Sequence, residues 1–236
     1  MTIGVIISTY NNPEWLEKTF WGYMAQTRKA DEIIVADDGS RDDTRQLIER
    51  YKEFLPLKHV WHEDDGFRKT KILNEALKVA QSEYLIFTDQ DCVPRADFIT
   101  THEKNARRGY ILSAGYFKLP MPISKQLTKD DITSGNAFRL KWLKNNGLKS
   151  TFKCTKLFQS PAFAKFMNTI TPAKATWNGM NSSTWKEYII NANGFDERIA
   201  DFGVVDCTEA HARCPAEKRY GIAVYELGNL VRQLAE

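Results

Sequence analysis

Four short runs in the first ninety residues are rich in apolar and β-branched residues. They alternate with stretches whose apolar positions recur every three or four residues. IGVIIS (3–8), EIIVAD opening 32–40, LKHVWH (57–62) and YLIFTD (84–89) read as strands. NPEWLEKTFWGYMAQ (12–26) reads as a helix with Asn12 as N-cap and Pro13 at its first position. DDTRQLIERYKEF (42–54) follows as a helix, acidic at its start and basic later, which suits the helix dipole. FRKTKILNEALKVAQ (67–81) places Ile72, Leu73, Ala76, Leu77 and Ala80 on one face. Strands apolar throughout, alternating with helices, imply parallel pairing and right-handed crossovers. Residues 1 to about 115 are therefore expected to form a doubly wound α/β sheet with helices on both faces.

Ligands of such sheets bind beyond the carboxyl ends of the strands. Those ends are polar and mostly acidic here: Ser8-Thr9-Tyr10-Asn11, Asp37-Asp38-Gly39-Ser40, and Asp89-Gln90-Asp91, with EDDGFRKTK after the third strand. Asp89 and Asp91 could share a hard cation through oxygen ligands, with phosphate oxygens completing its shell. The same spacing is common in solvated loops, but the strand ending at Asp89 favours the cation. Asp37 and Asp38 could accept from a nucleobase or ribose, or could cap the next helix. Arg68 and Lys71 lie near a helix start, where basic groups and free amides favour phosphate. A charged surface turn is the plainer account. No G-x-G-x-x-G or Walker lysine motif is present.

Composition adds less. The 236 residues are 42% hydrophobic and 27% charged, with a net charge of +3, so nothing global demands a nucleic-acid partner. The four cysteines show no C-x-x-C spacing and read as reduced thiols. The first apolar run is too short for a signal-peptide core, and no run reaches the roughly 20 residues of a membrane span. Charge is uneven, however. From Ile132 to Lys186 there is no acid, while Arg139, Lys141, Lys144, Lys149, Lys153, Lys156, Lys165, Lys174 and Lys186 interleave with aromatics. That pattern suits an anionic lipid surface, or a solvated basic rim around an anionic donor or glycan site.

Taken in order, VIISTYNNPEWLEKTF, EIIVADDGSRDDT, EDDGFRKTKILNEAL, EYLIFTDQDCVP and NGFDER resemble family 2 glycosyltransferases of GT-A fold. DGFRxxxxxN and FTDQDCVP are most similar to bacterial enzymes that build capsular or lipopolysaccharide glycans. The resemblance is dense over 3–100 and returns at WNGMNSSTWKEYIINANGFDER (177–198). It implies one GT-A domain with a nucleotide-sugar-binding half at 1–115 and an acceptor-side half at 116–236. The implied activity is metal-dependent, inverting transfer from a nucleotide sugar, foremost a UDP-sugar, to a glycan or lipid-linked acceptor. Mn²⁺ or Mg²⁺ would be the cofactor. The implied setting is the cytoplasm, with peripheral contact at the inner membrane face as a further reading.

The resemblance also assigns residues. Thr9, Tyr10 and Asn11 would line the nucleobase pocket, and Asp38 would hold base or ribose. Arg68 would approach the diphosphate, with Lys71 and Asn74 on the same wall. Asp89 would contact ribose or metal, beside Gln90, and Asp91 would ligate the metal. Trp177, Asn178 and Gly179 would face sugar and acceptor, and Phe195 would belong to the core. The family's base motif after NGFDE corresponds to DFGVVDCTEAHAR, which makes Asp206 the expected base and Glu209 its substitute. Both also suit the first turn of a helix. A later metal-binding His has no match: Glu226 and Asn229 stand near its place, and His211 is the nearest imidazole. The altered GVVD motif keeps open a domain that binds nucleotide sugar or glycan without transfer. A nucleotidyltransferase is disfavoured, since no Gly-rich basic loop follows the first strand.

Overall fold

The computed structural model describes residues 1–157, 177–198 and 229–233. Its first half follows the hydrophobic pattern. Strand β1 (Ile3–Thr9) leads to α1 (Pro13–Met24), β2 (Glu32–Asp37), α2 (Asp42–Tyr51), β3 (Leu57–Trp61), α3 (Lys69–Val79) and β4 (Tyr84–Asp89). Then come α4 (Phe98–Asn105), β5 (Tyr110–Ala114), three short helices α5 (Met121–Gln126), α6 (Lys129–Thr133) and α7 (Leu140–Asn145), β6 (Asn181–Trp185), α8 (Lys186–Asn191) and β7 (Asn229–Gln233). Strand order is β3-β2-β1-β4-β6-β5-β7.

Strands β1 to β4 pair in parallel, as their apolar runs predict. In β1, β2 and β4 the runs are unbroken because both faces are covered, while β3, at the sheet edge, carries Lys58 and His59 and is only part-buried. Val5, Ile7, Val35 and Ile86 pack against Leu16 and Phe20 of α1 and Leu47 and Ile48 of α2. Ile6, Ile34, Leu85 and Phe87 pack against Ile72, Leu73, Ala76 and Leu77 of α3, together with Phe195.

The alternation then breaks. Strand β6 inserts antiparallel between β4 and β5, and β7 pairs antiparallel with β5. Asn181, Ser182, Ser183 and Thr184 are at most 1% exposed although all are polar. Their side chains are satisfied internally, as buried polar groups must be. Ser183 shares hydrogen bonds of 2.7 Å with the Tyr84 hydroxyl and with His102 Nδ1. Asn181 Oδ1 lies 3.2 Å from His102 Nε2, and the Ser182 hydroxyl donates to the Asn178 carbonyl. Burial pushes the His102 pKa down to about 4.

Asn12 does occupy the N-cap of α1, but without a side-chain cap. Its φ of 68° is left-handed, not the extended conformation from which a capping side chain reaches the first turn. Its carbonyl instead accepts from Trp15 and Leu16.

The short helices bury two small clusters, one around Ile123, Leu143 and Leu157 and one around Leu127, Ile132 and Phe138. Lys18 of α1 is buried and donates to the carbonyls of Ser124 and Lys125 at 2.8 and 2.9 Å, closing the end of α5. Within the acid-free stretch Phe138, Leu143 and Leu157 are core, while Arg139, Lys141, Lys144 and Lys149 are exposed. Phe152 is 80% exposed. Phe158, Phe163 and Phe166 lie outside the described residues. Among the described residues no helix is long and apolar enough to cross a membrane.

Candidate active site

The carboxyl ends of β1, β2 and β4 form one rim. Ser8 faces Asp89 in the parallel register of β1 and β4, and its hydroxyl donates to Asp89 Oδ1 at 2.5 Å. One residue on, the Thr9 hydroxyl donates to Gln90 Oε1. Gln90 Nε2 in turn donates to the Tyr10 carbonyl at 3.2 Å. Thr9 and Gln90 thus brace the two strand ends against each other. Tyr10 is 45% exposed and its phenol donates to Asp64 at 3.0 Å. That bond to a carboxylate pushes the phenol pKa up. Asn11 has a left-handed φ of 48°. Its N–H donates to Ser40 Oγ and its side-chain oxygen accepts from Arg41.

At the end of β2 the two aspartates diverge in role. Asp37 is a turn acid: Oδ1 accepts from the Ser40 N–H at 2.8 Å, and Oδ2 lies 2.8 Å from His59 Nε2. Asp38 points to the segment between β3 and α3. His62 Nε2 lies 2.7 Å from its Oδ1, and the Arg68 N–H donates to its Oδ2 at 3.0 Å. Burial raises the Asp38 pKa, with the His62 and Arg68 contacts opposing the rise. Gly39 makes this arrangement possible. Its φ is +92°, and a Cβ there would stand 2.5 Å from the Asp64 Cα.

The start of α3 carries Arg68, Lys69 and Lys71. The Arg68 guanidinium pairs with Asp65 at 3.3 Å. Lys71 is exposed on the helix. Lys69 turns inward, and its ammonium lies 2.5 Å from Asp89 Oδ1. Asp91 is exposed and lines, with Asp89, a cleft of about 340 Å³. Its other walls include Trp15, Tyr116, Phe138 and Met180. Among the described residues no three His, Cys, Asp or Glu side chains converge as a metal cluster. The protein offers two carboxylates there, a hard-oxygen set.

Asn74 stands further along α3. Its amide donates to the Phe195 carbonyl at 3.0 Å and to Glu197, and accepts from the Phe195 N–H at 2.9 Å. Both ends of the amide are thus engaged in tying α3 to residues 195–197. Trp177 packs edge-on against Phe87 and Phe195, and its buried indole N–H has no partner among the described residues. Asn178 donates to the Ala114 carbonyl at 2.5 Å, and Gly179 lies in the turn before β6. Asp206, Glu209, His211 and Glu226 lie outside the described residues. Asn229 begins β7.

Three site residues escaped the sequence reading: Lys69, His59 and His62. The histidines sit in or just after a strand whose parallel partner ends in Asp37-Asp38, and that adjacency is the signal that could have found them.

A parallel half-sheet interrupted by an antiparallel strand, with acids at the strand ends, defines a GT-A glycosyltransferase fold. Residues 4–158 match the family described as glycosyl transferase family 2, and the chain belongs to that family. Validoxylamine A glucosyltransferase of Streptomyces hygroscopicus subsp. jinggangensis is 35% identical over 89 residues, 37% of this chain and 21% of that protein. Chondroitin synthase of Escherichia coli is 25% identical over 217 residues, 86% of this chain and 31% of that protein. The chain thus spans less than a third of the length of either relative. Mannosyltransferase PcManGT of Pyrobaculum calidifontis superposes with a TM-score of 0.54 at 23% identity, over 89% of this chain and 51% of that one. Staphylococcus aureus TarS gives 0.55 at 18%, over 86% and 52%. At these identities the two structures share the fold with this chain.

Proposed function

We propose that this chain transfers a glycosyl group from a nucleotide sugar to a hydroxyl of a glycan or lipid-linked acceptor, with inversion at the anomeric carbon. The observation that carries this reading is Asp89. It closes a core strand, already holds a cationic group, and shares a cleft with Asp91. Two carboxylates of that kind fit a Mn²⁺ or Mg²⁺ ion, and Asp89 and Asp91 would hold it. When bound, such an ion supplies charge stabilisation for the departing diphosphate. Support also comes from related proteins. The PcManGT structure contains GDP-Man and Mn²⁺, and a TarS structure contains UDP-GlcNAc.

The chain's own residues divide the remaining work. Asp38, fixed by His62 and the Arg68 amide, accepts from the nucleoside. Tyr10 and Asn11 border that place. Arg68 offsets negative charge as the bond between anomeric carbon and phosphate oxygen breaks. Asp206 is proposed to take the acceptor proton as the acceptor oxygen bonds to the opposite face of that carbon.

The experiment is a panel of UDP- and GDP-sugars read by thermal shift with Mn²⁺ and with chelator, followed by a transfer assay with each donor that binds. Metal-dependent binding with turnover is expected. Binding without hydrolysis or transfer to any acceptor would favour a domain that only binds its nucleotide sugar. Undiminished turnover in chelator would remove the metal from the reading.

A further inference from the structure

Of the three basic residues at the start of α3, Lys69 is the one whose side chain reaches a rim acid; Arg68 meets Asp38 through its backbone N–H, and its guanidinium pairs with Asp65. It is the first residue of the helix, and its side chain is 18% exposed against 25% for Asp89. The pair is therefore largely shielded from solvent, where attraction is screened less. The same oxygen, Asp89 Oδ1, also accepts the Ser8 hydroxyl. A carboxylate at the cation place of the site is thus occupied by the protein's own ammonium.

We propose that Lys69 is a diphosphate-binding residue that holds Asp89 when no ligand is present, so that a divalent cation and a diphosphate each favour the other's binding through it. This rests on the reading of Asp89 as a metal-holding carboxylate. A dication arriving at Asp89 competes with the ammonium for one oxygen. Two positive groups cannot share that place at low cost, and a displaced, largely buried ammonium left without an anion is costly too. Lys69 has a flexible four-carbon stem. Its position at the start of an 11-residue helix puts it beside first-turn amides, where a phosphate group is favoured. A diphosphate gives the freed ammonium its new partner. Metal alone must displace Lys69 without that compensation, and diphosphate alone must draw Lys69 away from Asp89. Together they satisfy both groups. The expected coupling lies in the usual range of about 5–150-fold.

The test uses Mn²⁺ alone, followed by water-proton relaxation, and inorganic pyrophosphate alone in chelator, followed by calorimetry. Lys69→Met should bind Mn²⁺ about tenfold more tightly than the parent protein and pyrophosphate about tenfold more weakly. Lys69→Arg, whose guanidinium can grip the carboxylate with two donors, should bind Mn²⁺ more weakly than the parent. It supplies an independent reading should the methionine variant not fold. Mn²⁺ binding that is unchanged or weaker in Lys69→Met, or tighter in Lys69→Arg, overturns the proposal, as does pyrophosphate binding that does not weaken in Lys69→Met. Neither titration requires sugar transfer. Opposite shifts in a protein that transfers no sugar uphold the role of Lys69 while the glycosyltransfer reading fails. Active transfer with no Mn²⁺ shift overturns Lys69 alone.

Discussion

His62 Nε2 stands 2.7 Å from Asp38 Oδ1 while the Arg68 N–H holds Asp38 Oδ2 at 3.0 Å, so the segment between β3 and α3 fixes both oxygens of this carboxylate. Asp38 is buried, and a buried acceptor that loses a donor carries the full cost of its desolvation. His62→Ala should therefore weaken nucleotide binding by about tenfold, with a stability loss of about 1–3 kcal/mol. Calorimetric titration with UDP and GDP, beside a denaturant melt, measures both.

The raised pKa of Asp38 sets a pH dependence for the same binding. In the proposed role the ionised form accepts from the nucleoside, so affinity should fall on acidification. Because the pKa is raised, the fall begins at a higher pH than for an ordinary aspartate. Asp38→Asn should bind weakly, without this pH-dependent step. A parent affinity that stays constant from about pH 7 to about pH 4 would remove Asp38 from nucleoside recognition.

His102 makes a separate prediction about stability. Its folded pKa is about 4, against 6.5 for a free imidazole. Between those values the unfolded chain binds a proton that the folded chain refuses. Stability should therefore decline as pH falls from about 6.5 to about 4, by up to about 3 kcal/mol from this group. Below that range this contribution is flat. Urea melts across the range should show the slope, and His102→Gln should reduce it even if the variant is less stable overall.

Asp89 and Asp91 should respond differently to removal. Asp89→Ala leaves the Lys69 ammonium and the Ser8 hydroxyl without their acceptor, and should cost about 1–3 kcal/mol. Asp91 is exposed and has no ion pair among the described residues. Asp91→Ala should change stability by less than about 0.5 kcal/mol while metal-dependent transfer falls by orders of magnitude. Normal transfer by a folded Asp91→Ala protein would exclude it as a ligand.

Gly194 meets Asn74 closely. Its φ is +74°, and a Cβ there would lie 2.6 Å from Asn74 Oδ1. Gly194→Ala combines backbone strain with this collision and should destabilise the protein by about 1–3 kcal/mol. Asn74→Ala removes the three hydrogen bonds to 195–197 and should lower stability by a similar amount. The two changes share a partner, so the double variant should cost less than their sum.

Strands β1, β2 and β4 were legible because burial on both faces leaves a continuous apolar run, as in Val5, Ile6 and Ile7, whereas β3, a part-buried edge strand with Lys58 and His59, was legible from its place in the alternation. Strand β6 was not, because hydropathy reads Asn-Ser-Ser-Thr as a loop. Its burial depends on Tyr84 and His102, which reach it only in the folded chain. The acids of the rim were legible as strand ends. Their partners were not: Lys69 and Lys71 are equivalent in composition, and only the helix direction separates the inward base from the exposed one. The role of Asn74 as a tie also depends on a contact far along the sequence, with Phe195.

The insertion of β6 also bears on how the chain is made. Tyr84 and its partner Ser183 are 99 residues apart in sequence. At about 5–20 residues per second, ribosomal synthesis leaves the far edge of β4 unpaired by β6 for about 5–20 s after β4 is made. During that interval Leu85, Ile86 and Phe87 belong to an open sheet edge able to pair with another nascent chain. Assembly of the acidic rim can begin early, but closure of the sheet waits for the polar strand. Yield of folded protein should therefore be more sensitive to chaperone supply and translation speed than the finished molecule's stability suggests.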